Sequence, residues 1–458
     1  MTKPISIIGA GLAGSEAALQ LAKRGHDVVL YEMRPETPTD VHRTGDCAEL
    51  VCSNSLKSTK PESAAGMLKA ELDALGSFLY ASALKHAVPA GGALAVNRIE
   101  FSRDITELIE TNPRIDLKRE EVTSVDEIAS SSSAVVLATG PLTSDRLADS
   151  LSQLVGGTYL AFFDAAAPIV MGDSLDMECI FRQSRYESSD DGKPVGDYLN
   201  APFSKEEYES FIDVLLEAER VIKRDFETKD LFQACQPIEE IARAGRDAPR
   251  FGPLKPVGLT DPRTGRRPWA ALQLRAEDAQ GTSYNLVGFQ TNLKFSEQKR
   301  VFSMIPGLKN AEFARYGVMH RNTFVDAPNL LDRSLRLVSE QSAELQVPIF
   351  VAGQLGGTEG YCEAIRSGLH AALSVCSYLA GSDAVALPDT TAFGALIAHA
   401  TSPDTEGYQP MHVNFGIMPP LEKPIKNKRE RYEAYRVRGE QALAQYCDEL
   451  RRLGLLDR

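Results

Sequence analysis

The stretch Ile5–Arg34, ISIIGAGLAGSEAALQLAKRGHDVVLYEMR, decides the fold. A continuous apolar run predicts a buried strand, and Gly9, Gly11 and Gly14 follow it in G-x-G-x-x-G spacing before an alanine-rich helix. The three glycines do different things. Gly9 permits the tight turn, Gly11 lets backbone N–H groups approach a pyrophosphate, and Gly14 lets helix and strand pack closely. Ala10, Leu12 and Ala13 complete the turn, whose unpaired N–H groups and helix dipole favour an anion. A second strand ends at Glu32, 18 residues after Gly14, where an acid accepts ribose hydroxyls.

Two later stretches choose among dinucleotides. AVVLATGPL, Ala134–Leu142, is a buried strand closing on Thr139 and Gly140. PIFVAGQLGGTEGYCEAIRSGLHAALSV, Pro348–Val375, is a strand, a glycine-rich turn carrying Gly353, Gln354, Gly356 and Gly357, and a long helix. Turns of this kind at both ends of a chain suit FAD better than NAD. The expectation is an α/β protein with a Rossmann-like FAD-binding domain of the glutathione-reductase type, interrupted by an inserted α/β domain. The divisions expected are 1–167 for the N-terminal part of the FAD-binding domain, 168–330 for the insertion, and 331–458 for the C-terminal part, which ends in a basic helix.

The 458 residues are too many for one simple core. Hydrophobic content of 43% and charged content of 25% describe an ordinary globular chain. No apolar run is long enough to span a membrane, and no signal-peptide pattern precedes the first strand, so a cytoplasmic location is expected. A formal charge of −13 argues against a broadly basic nucleic-acid coat. Two local patches run against it: Arg243, Arg246 and Arg250 with their neighbours, and KPIKNKRERYEAYRVR near the C-terminus. Either is a solvated face or a place for a polyanion.

Seven cysteines in an odd, scattered set make no disulfide framework, and neither they nor the seven histidines show zinc spacing. No metal is expected. Cys47 and Cys52, in CAELVCSNSLKS, have the spacing of a flavoprotein redox disulfide, but no glycine-rich approach precedes them and no second G-x-G-x-x-G provides an NADPH domain. A disulfide reductase using Cys47 and Cys52 is therefore the weaker alternative. A domain that merely holds FAD would explain the turns but neither the paired thiols nor the basic patches.

Longer motifs narrow the field. ELVCSNSL, VPAGGALAVNR, ATGPLTSD, DAAAPIV, SRYESSDDGKPVGDYLNAPFSKEEY, CQPIEEIARAG, RFGPLKPVGL, YNLVGFQTNLKFSEQKRVFSMIPGL, GYCEAIRSGL and YQPMHVNFGIMPP occur in order along the chain. Together they resemble the bacterial folate- and FAD-dependent tRNA uracil-5-methyltransferases. The chain departs from the pattern in reading GQLGGTEGY where members approach GQITGVEGY, and CQPIE where many have CLPIE.

The resemblance implies methylation of uracil C5 in a T-loop uridine of tRNA, with carbon from methylenetetrahydrofolate and reduction through FAD by NADPH or NADH. It implies tRNA and folate as partners and no obligate protein partner. By matching motifs it makes Cys235 the nucleophile that adds to uracil C6 and Cys52 the partner acid/base, with the roles open to exchange. The chemistry follows: uracil C5 becomes nucleophilic only after a thiolate adds to C6. Ribosomal RNA as the substrate of the same chemistry is the closest alternative. The larger GidA-type tRNA-modifying flavoproteins are expected to differ in carrying a long C-terminal extension.

Overall fold

The computed structural model describes every residue except 1–2, 40, 157–158, 166, 186–195, 222–235, 318, 406–407 and 458. Its centre is a five-stranded parallel sheet in the order Ile349–Val351, Ala134–Leu137, β1 (Ile5–Ile8), β2 (Val28–Tyr31) and Ile115–Lys118. The strands at its centre are short apolar runs because parallel strands are covered on both faces: all four residues of β1 and of Ala134–Leu137 are buried. Register is set with Ile5 opposite both Val28 and Ala134.

Helix α1 (Leu12–Lys23) returns the chain from β1 to β2 and lies against the long helix Tyr361–Leu379. Small residues make this approach possible. A Cβ on Gly368 would lie 2.0 Å from the Ala13 carbonyl oxygen, and one on Gly14 only 1.8 Å from that of Gly9. The helix from the C-terminal third of the chain is thereby keyed into the N-terminal glycine motif.

A second sheet, six-stranded and antiparallel, runs Phe181–Arg182, Tyr198–Phe203, Ala270–Ala276, Ser283–Leu286, Ile169–Met171 and Phe313–Arg315. Helix Lys205–Glu217 covers it, started by a capping box in which Ser204 and Glu207 satisfy each other's backbone N–H groups. Its core draws on Val170 through Ala311 and includes the fully buried Phe211, Phe289 and Phe302. Burial of each such ring stabilises the fold by roughly 1.5–3 kcal/mol. The main core draws instead on both ends of the chain, from Ile5 to Val155 and from Phe324 to Leu450. Chain passes between the two through one antiparallel ribbon, Tyr159–Ala165 paired with Met319–Val325.

Candidate active site

Two cavities meet at the C-terminal ends of the parallel strands. Both are lined by Gly11, His42, Thr139 and Leu142, so they form one groove. The first continues over Glu32 and the second over Gly140, Gly353, Gln354 and Cys52. This is where an open α/β sheet binds its ligand.

Gly9 holds φ +101°, and a Cβ there would come within 2.6 Å of the Ala138 carbonyl oxygen. At Gly11 a Cβ would meet nothing within 4 Å, so its open face is the groove itself. Ala10 and Gly14 stand behind the lining. The Ala10 N–H donates to Glu32 Oε2 at 3.1 Å, fixing the turn to the acid.

Glu32 has a partner that the sequence reading did not give it. Arg34 donates to Oε1 from Nε at 2.8 Å and from its backbone N–H at 3.0 Å. Burial alone would raise this carboxyl, but the hydrogen bonds and charge of Arg34 outweigh it and hold the group below the ordinary carboxylate range. Glu32 is thus an anion whose Oε2 keeps one lone pair for a hydroxyl. Arg34 also binds Glu49 at 3.1 Å and the carbonyls of Thr44 and Asp46, so the loop leading to Cys47 is built around it.

On the opposite wall, Thr139 Oγ1 lies 2.6 Å from Thr143 Oγ1, and Gly140 turns at φ +65° with open space before it. Gly353, at φ +75°, gives its N–H to Ser367 Oγ at 2.6 Å. Gln354 Nε2 and Thr358 Oγ1 are buried without hydrogen-bond partners, and both residues line the larger cavity. Gly357 does not line it: a Cβ there would strike the Tyr408 hydroxyl at 1.6 Å, so that glycine serves close packing. The long helix begins only after Gly360, and its Tyr361 lines the cavity. Orphaned amide and hydroxyl groups facing an open, glycine-walled groove fit a flavin dinucleotide.

Cys52 lines the same cavity. Its backbone N–H and that of Ser53 both donate to Tyr361 Oη, at 3.0 and 3.1 Å. On the other side Arg315 donates to the Val51 carbonyl and, at 3.4 Å, to that of Cys52. Arg98 bonds the Leu50 carbonyl at 3.0 Å and pairs with Glu277 at 2.5 Å. Asn54, fully buried, donates to the carbonyls of Val96 at 3.1 Å and Ala276 at 3.0 Å and accepts from Arg275 Nε at 2.8 Å. Both guanidiniums, Arg98 and Arg315, act electrostatically on Cys52. Tyr361, Asn54, Arg98 and Arg315 were absent from the sequence expectation, although Tyr361, Asn54 and Arg98 stand inside motifs that carried it.

Cys47 is a free thiol, wholly buried, and burial pushes it up to about 11. It is not bonded to Cys52, and its burial disfavours the thiolate that a Cys47–Cys52 relay would need. Cys235 lies outside the described residues. The chain on either side of 222–235 is pinned to one connection, the segment between strand Ser283–Leu286 and helix Phe295–Phe302: Val221 N–H donates to the Asn292 carbonyl at 2.7 Å and Ile238 N–H to that of Gln290 at 2.8 Å. Arg243 and Arg246 are drawn to Glu240 and Asp213, and Arg250 lies 3.7 Å over the Trp269 ring, so each has a local partner. Among the described residues no group of acidic, histidine and cysteine side chains is placed to hold a metal.

The sequence profile of the family described as glucose inhibited division protein A matches residues 4–383. A methylenetetrahydrofolate–tRNA-(uracil-5-)-methyltransferase TrmFO of Symbiobacterium thermophilum is 51% identical over 452 residues, 98% of each chain. The one of Geobacter sulfurreducens is 52% identical over 432 residues, 94% of this chain and 96% of that one. The chain belongs to the TrmFO family. Among solved structures, Aquifex aeolicus GidA superposes with a TM-score of 0.71 over 100% of this chain and 74% of its own, at 16% identity, a likeness of fold. The TrmFO family assignment agrees with the Rossmann-like reading of the glycine motif, and no described helix is long and apolar enough to cross a membrane.

Proposed function

We propose that this protein methylates uracil C5 in tRNA, taking carbon from methylenetetrahydrofolate and electrons from NADPH or NADH through FAD. The observation that carries the reading is the position of Cys52 on the cavity that Gly11, Thr139, Gly140, Gly353 and Gln354 also line. FAD, when bound, supplies the carrier and the reducing electrons for the transferred carbon. Gly9–Gly14 would hold its phosphates, Glu32 Oε2 would accept from a ribose hydroxyl, and Gln354 and Thr358 would meet its polar groups. The remaining chemistry belongs to the thiols. Cys235 adds to uracil C6 and raises electron density at C5; Cys52 removes the C5 proton once the carbon has been accepted. Tyr361 and Arg315 hold the Cys52 backbone from opposite sides. The division into 1–167, 168–330 and 331–458 and a cytoplasmic location belong to the same proposal.

The test supplies purified protein with methylenetetrahydrofolate, NADPH and either unmodified tRNA or ribosomal RNA. 5-Methyluridine in the tRNA alone supports the reading. Its appearance in ribosomal RNA alone moves the substrate, and its absence from both refutes the reading.

A further inference from the structure

The inserted sheet carries an aromatic column that leads from the surface to its core. Phe295, 55% exposed at the first turn of helix Phe295–Phe302, stacks on Tyr316 with centroids 5.1 Å apart and planes 22° from parallel. Tyr316 stacks on Phe313 at 4.9 Å and 11°. Phe313 meets the buried Phe302 at 6.5 Å, and Phe302 meets Phe289 at 5.5 Å. A large ring left in water at the end of such a column is held in place by the rings beneath it, so a flat partner meets a surface that loses little entropy on contact.

The surroundings identify that partner. Tyr316 follows Arg315, whose guanidinium holds the Val51 and Cys52 carbonyls, so the column stands one residue from the anchor of the loop that carries Cys52. Lys299, four residues after Phe295, shares its helix face, is exposed, and has no ion pair among the described residues. Phe295 also lies three residues beyond Asn292, which holds one end of the segment carrying Cys235. A stacking face beside an uncommitted cation, one residue from the anchor of the Cys52 loop, matches a nucleotide: a base for the ring and a phosphate for the lysine. Chemistry at C5 and C6 needs a uracil freed from its own stack, which leaves a neighbouring base without its former partner.

We propose that Phe295, backed by Tyr316 and Phe313, stacks an unpaired RNA base next to the target uridine, with Lys299 on its phosphate. This rests on the proposed RNA substrate. The test uses FAD-loaded full-length protein and unmodified tRNA. Phe295→Ala is expected to raise KM about 5- to 150-fold, the range of one base–aromatic stack, with the effect on KM rather than kcat. Phe295→Trp restores KM, and its fluorescence, read against the single native Trp269, is quenched as tRNA is added. Phe295→Leu, apolar but without a π face, behaves as Phe295→Ala. Unchanged KM in Phe295→Ala, or full rescue by Phe295→Leu, overturns the proposal while methylation by the wild type persists. Loss of self-association in gel filtration with unchanged KM assigns the face to a second copy instead. Absence of methylation by the wild type refutes the RNA reading itself.

Discussion

Replacing Asn54 by alanine tests how the loop that carries Cys52 is anchored. The side chain is fully buried and makes three hydrogen bonds, two of them to strand Ala270–Ala276 of the inserted sheet. Removing it deprives the Val96 and Ala276 carbonyls of a donor and the buried Arg275 guanidinium of its acceptor. A neutral hydrogen bond contributes about 0.5–1.5 kcal/mol and one to a charged group about 1.5–3, so the loss is about 2.5–6 kcal/mol before water enters the gap. Most of it falls at the junction between the loop and the inserted sheet, away from the glycine motif. Asn54→Ala is therefore expected to keep bound FAD and its rate of reduction by NADPH while losing tRNA methylation at least 100-fold and unfolding at lower urea. Assays are flavin absorbance, anaerobic reduction, methyl transfer and urea titration. If methylation stays within threefold of wild type, the anchoring role assigned to Asn54 is wrong.

Gly11→Val, whose side chain projects into open space, should fold normally yet emerge colourless, whereas Gly14→Ala drives a methyl against the Gly9 carbonyl and should lose folded yield as well; absorbance and circular dichroism separate the two. With tRNA carrying 5-fluorouridine, Cys235→Ser should abolish the covalent protein–RNA species, Cys52→Ala should accumulate it, and Cys47→Ser should leave it unchanged on denaturing gels. An adduct that survives Cys235→Ser and vanishes in Cys52→Ala would exchange the two roles. Burial pushes Glu239 up to about 7 from an ordinary 4.5. The folded chain keeps a proton that the unfolded chain releases, so this group's contribution is full below pH 4.5 and is lost as pH rises through 7. Glu239→Gln should remove that slope and stabilise the protein at pH 8 by up to about 3 kcal/mol, read from urea midpoints between pH 4.5 and 8; a wild-type slope of the opposite sign would contradict the burial argument.

The glycine motif was legible because its chemistry is local: strand, turn, helix and acid fit within 28 consecutive residues, Ile5 to Glu32. Gly357 shows where local reading fails. It sits in a turn of flavin-binding composition, but its neighbour is the hydroxyl of Tyr408, 51 positions later, and no turn pattern reports that contact. The bonds from Cys52 and Ser53 to Tyr361 span 309 and 308 positions, and Arg275 reaches Asn54 across 221. Such pairs are fixed by how the sheets meet, which periodicity does not encode. Arg34 was within reach: two residues after Glu32, it shares that acid's side of the extended chain. The basic run at Arg243–Arg250 read as one field of charge because intervening acids were tallied only along the chain, whereas Asp213 arrives from another helix.

The ribbon of Tyr159–Ala165 and Met319–Val325 sets Tyr159 directly opposite Val325, and its second strand runs beside the turns at Gly140–Leu142 and Gly353–Gly356. The inserted portion is thus fastened at the ribbon, at the contacts around Asn54, and again where Tyr198 Oη donates to the Ala90 carbonyl and Asp197 accepts from the Gly91 N–H. Each further tie removes a direction in which the inserted sheet could turn against the parallel one. Cys52, beside one of these ties, is steadied by the others, and an RNA pulling on the outer surface works against all of them before it can move the thiol from the flavin groove.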